Sequence, residues 1–219
     1  QYTIIAYAND SSGSLNSTAV TFDIVLGTGL NINILSPENI TYSTRTIKSN
    51  ISSAGATSCI VSFNNWATNY LMTSIGSSFN YTLALSSDAS YTARFNCSNS
   101  SSSVLNSKSF TIDSVSPIVT LISPANNAVF TNADTVQFRF NVTDAGVIQR
   151  CALVKNNVEA VSSGDITKGI SNNINYSDFA VRVNEVYIVC YDTAGNSNNS
   201  AKINITVNCP SGYTKCSDG

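Results

Sequence analysis

The chain repeats itself, and that constrains its fold more than any other feature. Ile34-Leu35-Ser36-Pro37 returns as Leu121-Ile122-Ser123-Pro124, with the two prolines 87 residues apart. The cysteines follow the same rhythm. Cys59 and Cys97 are 38 residues apart, and Cys151 and Cys190 are 39 apart, at matching places in the two repeats. A period near 90 residues, filled with short alternating runs, fits a sandwich of about seven strands.

The second copy gives the clearer strand map. Val119–Ser123 reads as strand A and Thr135–Thr143 as strand B, where Val136, Phe138, Phe140 and Val142 alternate with polar residues. Ile148–Lys155 reads as strand C. Val158–Ser162 and Asn173–Val181 are the middle strands, Glu185–Tyr191 is a central strand F, and Lys202–Val207 is strand G. In the first copy, strands B, C, F and G fall near Thr46–Ser52, Ser58–Phe63, Tyr91–Cys97 and Lys108–Ile112. No stretch carries helical periodicity with caps. The chain is expected to be all-β, with tandem immunoglobulin-like sandwiches at 27–114 and 115–208.

The spacings pair Cys59 with Cys97, Cys151 with Cys190, and Cys209 with Cys216. Free thiols in a reducing compartment are the alternative. Zinc is disfavoured, because no CxxC pair and no histidine is present. Each long bridge would join strand C to its neighbour F within one sheet, unlike the B–F bridge across an antibody domain. Disulfides of this kind imply an oxidising, extracellular setting.

Residues 1–26 read as the last hairpin of a further copy. Tyr2-Thr3 matches Tyr91-Thr92, Ala8 takes the place of Cys97, and Leu15-Asn16-Ser17 matches Leu105-Asn106-Ser107. Strands A to E of that copy are missing. The expectation is therefore an N-terminal domain that is incomplete within this chain. Three explanations stand open: a neighbouring subunit supplies the strands, the chain is one window on a longer array, or the hairpin folds back onto residues 27–114. Residues 209–219 read as the start of a small cysteine-containing module. The absence of a leader before Gln1 suggests a processed product or a segment of a longer protein.

Composition narrows the function. Ser, Thr and Asn supply 35, 21 and 28 of the 219 residues, whereas Lys and Arg number 11 and Asp and Glu 13. The polar surface is thus hydroxyl and amide rather than charge. With no histidine, Ser-His-Asp and Cys-His catalysis and HExxH zinc chemistry are excluded. A net charge of -2 argues against nucleic acid. No apolar run is long enough to span a bilayer as a helix. Glycosylation sequons occur at Asn9, Asn16, Asn39, Asn50, Asn80, Asn96, Asn99, Asn141, Asn175, Asn198 and Asn204. Asn99 and Asn198, expected in exposed F–G turns, are the foremost acceptors expected to carry glycans, and Asn9, followed by Asp10, is a poorer one.

Two places invite a chemical reading. Asp192-Thr193-Ala194-Gly195-Asn196 resembles a calcium loop, but calcium wants six to eight oxygens, and only Asp144 is a further, distant candidate. A tight turn with Gly195 at positive φ is the simpler reading. No metal and no cofactor are expected. The lone tryptophan, Trp66, follows strand C; it either stacks on a sugar, with Tyr70 and Tyr81 extending the face, or fills a core or interface.

The segments VTLISPANNAVF (119–130), VQFRFNVTD (136–144), VYIVCYDTAGN (186–196) and ITV (205–207) resemble the tandem Ig-like repeats of large secreted surface proteins of archaea and some bacteria. The resemblance spans about residues 1–208. It implies an extracellular, often glycosylated, repeat-built surface or filament protein. No enzyme is expected, because histidine is absent and the 13 acids, only Glu38, Glu159 and Glu185 among them glutamates, fall at turns or strand ends rather than as a carboxylate pair. The function expected is a structural subunit of such a filament or array, self-associating by strand complementation. An adhesin or carbohydrate-binding module is the alternative.

Overall fold

The computed structural model describes residues 2–22, 29–131 and 134–210, and every regular element among them is a strand. Cys216 and Asp23 lie outside the described residues, as does most of the proposed C-terminal module. Cys209 is disulfide-bonded.

Strands β1 (Tyr2–Asn9) and β2 (Leu15–Phe22) form an antiparallel hairpin that pairs with no other strand among the described residues. Its turn is set by Asp10, whose carboxylate accepts the amide protons of Ser12 and Ser14 while Gly13 takes φ +84°. Every residue of both strands is exposed.

The first sandwich has nine strands: β3 (Asn33–Ser36), β4 (Thr41–Tyr42), β5 (Thr46–Ser52), β6 (Ser58–Ser62), β7 (Tyr70–Leu71), β8 (Thr73–Ile75), β9 (Ser78–Ala84), β10 (Ser90–Ser98) and β11 (Ser103–Ile112). One sheet has the order β3-β5-β9-β8 and the other β4-β11-β10-β6-β7. Their inward faces meet in one core, with Ile47 and Ile51 from β5, Val61 from β6, Phe79 from β9, Phe95 from β10 and Phe110 from β11.

The second sandwich repeats the plan with β12 (Ile118–Ser123), β13 (Ala128–Thr131), β14 (Val136–Thr143), β15 (Ile148–Lys155), β16 (Val158–Ser163), β17 (Ser171–Tyr176), β18 (Val183–Asp192), β19 (Ser197–Asn199) and β20 (Ile203–Asn208). Its sheets run β12-β14-β17 and β13-β20-β18-β15-β16, with β19 on β18. Val136, Phe138, Phe140 and Val142 of β14 all point into the core. Burying each such side chain contributes about 1.5–3 kcal/mol.

Three details differ from the strand map read in the sequence. The run expected as a strand at 173–181 is paired only as far as Tyr176. Beyond it the chain leaves the sheet so that Phe179 can plug the core edge-on to Tyr176 at 5.0 Å. Strand β13 was not foreseen; it pairs in parallel with β20, as β4 does with β11. Asn198 sits on β19 rather than in a turn.

The disulfides Cys59–Cys97 and Cys151–Cys190 each link directly opposed residues of neighbouring antiparallel strands. Both Cα pairs are 4.1 Å apart, near the ~4.5 Å of a non-hydrogen-bonded pair. All four sulfurs face the cores.

Candidate functional site

Two loops of the second sandwich meet the strand leaving the first. Asp113 follows β11, Asp144 follows β14, and Asp192 ends β18. A carboxylate oxygen from each lies within 4.8 Å of the other two. Asp192 is fully buried and Asp113 is 9% exposed. The approach of Asp113 depends on Gly146, because a Cβ there would collide with Asp113 Oδ2.

The partners are unequally shared. Asp192 Oδ1 accepts the backbone N–H of Asn196 at 2.8 Å, and its Oδ2 accepts Asn196 Nδ2–H at 2.8 Å. The same Nδ2 donates to the Asp113 carbonyl at 2.7 Å, tying the linker to the loop. Asp113 Oδ1 accepts the N–H of Val115 at 3.3 Å. Both carboxylate oxygens of Asp144 are sealed from solvent and neither takes a well-formed hydrogen bond; the backbone N–H groups of Ala145 and Gly146 face them only loosely. Burial, followed by the negative charge of Asp113, pushes the Asp144 carboxyl above the usual aspartate range. Lys168 Nζ caps the loop from outside, donating to the carbonyls of Asp144, Ala145 and Gly146 at 3.2, 3.4 and 2.5 Å.

The sequence reading named Asp192 and Asp144 but left them apart, and it missed Asp113. The structure brings all three together. The tight-turn reading of 192–196 also holds, since Gly195 has φ +91° and Asp192 bonds its own loop. Aligning the repeats would have exposed the contrast. Ser53-Ala54-Gly55 occupies the place of Asp144-Ala145-Gly146, and Asn99, two residues past Cys97, occupies the place of Asp192.

Trp66 lies half-buried in a loop held by side chains. Ser62 Oγ accepts the Trp66 N–H at 2.9 Å, and Asn64 Oδ1 accepts the Thr68 N–H at 2.8 Å. Asn65 and Trp66 both take left-handed φ, +54° and +69°, a conformation that costs a residue with a Cβ about 1–2 kcal/mol. The indole borders an open groove of about 280 Å³ shared with Arg94, Leu105, Asn106 and Ser107. Tyr70 and Tyr81 stack on each other at 4.9 Å instead of extending that groove.

The sequon asparagines divide by exposure. Asn9, Asn16, Asn39, Asn175, Asn198 and Asn204 are exposed, while Asn50, Asn80, Asn96, Asn99 and Asn141 are half-buried. Asn99 Nδ2, the atom a glycan would occupy, donates to the Gly55 carbonyl at 3.2 Å.

Residues 117–214 match the sequence model of a bacterial Ig domain. Among solved structures, the fibronectin(III)-like modules of Clostridium thermocellum CbhA align with a TM-score of 0.56 at 13% identity, over 86% of this chain and 100% of theirs. An I-band fragment of titin aligns with a TM-score of 0.49 at 13% identity, over 82% of this chain and 65% of that one. No curated protein sequence matches the chain. The fold is a tandem of immunoglobulin-like β-sandwiches.

Proposed function

We propose that this chain is a structural segment of an extracellular surface filament or array built from Ig-like domains, without enzymatic activity. In this reading β1–β2 completes a sandwich with strands supplied by a neighbouring subunit. The hairpin carries the reading. Tyr2, Ile4, Tyr7, Leu15 and Val20 are each 57–63% exposed, and a lone two-stranded hairpin is at best marginal in water. Apolar residues on strands with open edges recruit partner strands. The two core-facing disulfides and the Ig-domain match are consistent with an extracellular location.

Removing residues 1–26 tests it. Sedimentation and electron microscopy are expected to find the parent chain assembled end to end and the shortened chain monomeric. Circular dichroism should show the sandwiches of the shortened chain still folded. Assembly that is unchanged without residues 1–26 would overturn strand complementation.

A second reading, an adhesin or carbohydrate-binding module, is favoured by the left-handed Trp66 beside its groove. Trp66 is the only tryptophan, so its fluorescence reports on that groove alone. Saturable quenching by oligosaccharides, lost in Trp66→Ala, would support it.

A further inference from the structure

The two sandwiches solve the same loop-to-loop contact in opposite ways. In the first, the neutral Asn99 side chain donates a hydrogen bond to the Gly55 carbonyl. In the second, Asp192 stands where the first has Asn99 and Asp144 where it has Ser53, and the strand leaving the first sandwich delivers a third carboxylate, Asp113. Like charges gathered in a low-dielectric place repel strongly unless a proton or a cation joins them.

The geometry points to a divalent cation of the calcium type bound by Asp113, Asp144 and Asp192, joining the exit of the first sandwich to the loops of the second. Calcium takes oxygen ligands at 2.3–2.6 Å, so two oxygens on one ion stand at most about 5 Å apart. The observed span of 4.8 Å falls within that limit.

The independent sign is Asp144, whose two oxygens are both buried with no well-formed hydrogen bond, only loose approaches by the Ala145 and Gly146 N–H groups. A buried acceptor in that state costs free energy unless something fills its coordination. Asp192 does not supply the missing donor, because it too is a carboxylate. Its oxygens keep lone pairs beyond the bonds to Asn196. Charge also balances. Three carboxylates offset by the Lys168 ammonium leave a local charge of about -2, which one divalent ion neutralises. An entry route adjoins the cluster: a cleft of about 260 Å³ lined by Val115, Ser116, Ile118, Thr143, Asp144 and Ala145.

The ligand set also explains Gly146. Only glycine leaves room for the Asp113 carboxylate to lie against this loop, so the glycine shapes the site without ligating. At the first sandwich, Ser53 and Asn99 offer no carboxylate, so the same fold there has no such site.

The test uses the full chain, first freed of metal with a chelator and then titrated with CaCl2 or MgCl2 at constant ionic strength. Calorimetry is expected to find one calcium per chain. Calcium at a hundred times its Kd should raise the melting temperature by roughly 5–10 °C. Asp144→Asn and Asp192→Asn, which keep the side-chain shape, should abolish the calcium response while the chain stays folded by circular dichroism. Three results would overturn the assignment: no heat and no thermal shift with either salt, a calcium response that survives in Asp144→Asn, or stabilisation on acidification alone. The last would mean that a shared proton, not a cation, joins the carboxylates.

Discussion

Asp88 shows how much one side chain holds in this chain. Its carboxylate accepts the Arg45 guanidinium at 2.7 Å and the backbone N–H of Ser114 at 2.9 Å, so it ties the start of β5 to the strand leaving the sandwich. The Arg45 hydrogen bond, then that of Ser114, holds its carboxyl below the usual aspartate range. A group depressed in the folded state stabilises fully above its unfolded pKa, and that stabilisation fades as pH falls through the folded value. Asp88→Asn should therefore be less stable than the parent at neutral pH, with the difference vanishing in strong acid; urea melts at both extremes would measure it. The exposed and bonded asparagines make a second residue-level expectation. Glycopeptide mapping should find sugar on Asn175, Asn198 and Asn204 and, against the expectation from sequence, none on Asn99, which is half-buried with its Nδ2 already bonded.

At the scale of elements, each long disulfide clamps two adjacent strands of the same sheet. Replacing Cys151 and Cys190 together by alanine releases a 39-residue loop. In the chain-entropy model that costs about 4 kcal/mol, and the loss should appear as an early melting transition of the second sandwich while the first keeps its own. Strands of this class were legible where period-2 alternation and a buried face coincide. Thr46–Ser52, whose burial alternates, is read from sequence with the bounds the structure shows; so is Ile148–Lys155, a central strand buried on both faces from Cys151 to Val154. β13 was not legible. It is only four residues long, its inward Ala128 and Phe130 are only partly buried against the core, and its partner β20 begins more than 70 residues away. Asn173–Val181 was read too long because Phe179 and Val181 look like strand residues, yet Phe179 serves the core from outside the sheet. The carboxylate cluster was half legible. Asp144 and Asp192 stand out in their loops, but their meeting with Asp113 depends on how one sandwich docks on the next, which no local pattern records.

For the whole molecule, the parallel pairs β4–β11 and β13–β20 matter most. In each, a strand near the entrance of a sandwich lies beside the strand that leaves it. Tension along the chain therefore pulls the two past each other, loading their hydrogen bonds together rather than one at a time. Once that seam gives, Cys59–Cys97 stops the unravelling, because the 38 residues between the sulfurs cannot pay out. At about 3.4 Å per extended residue, roughly 130 Å of slack stays locked in the first sandwich, and the second withholds a similar length. Single-molecule stretching should show unfolding steps longer by that amount after reduction. A filament made of such units would have two maximum lengths, and the redox state of its surroundings would choose between them.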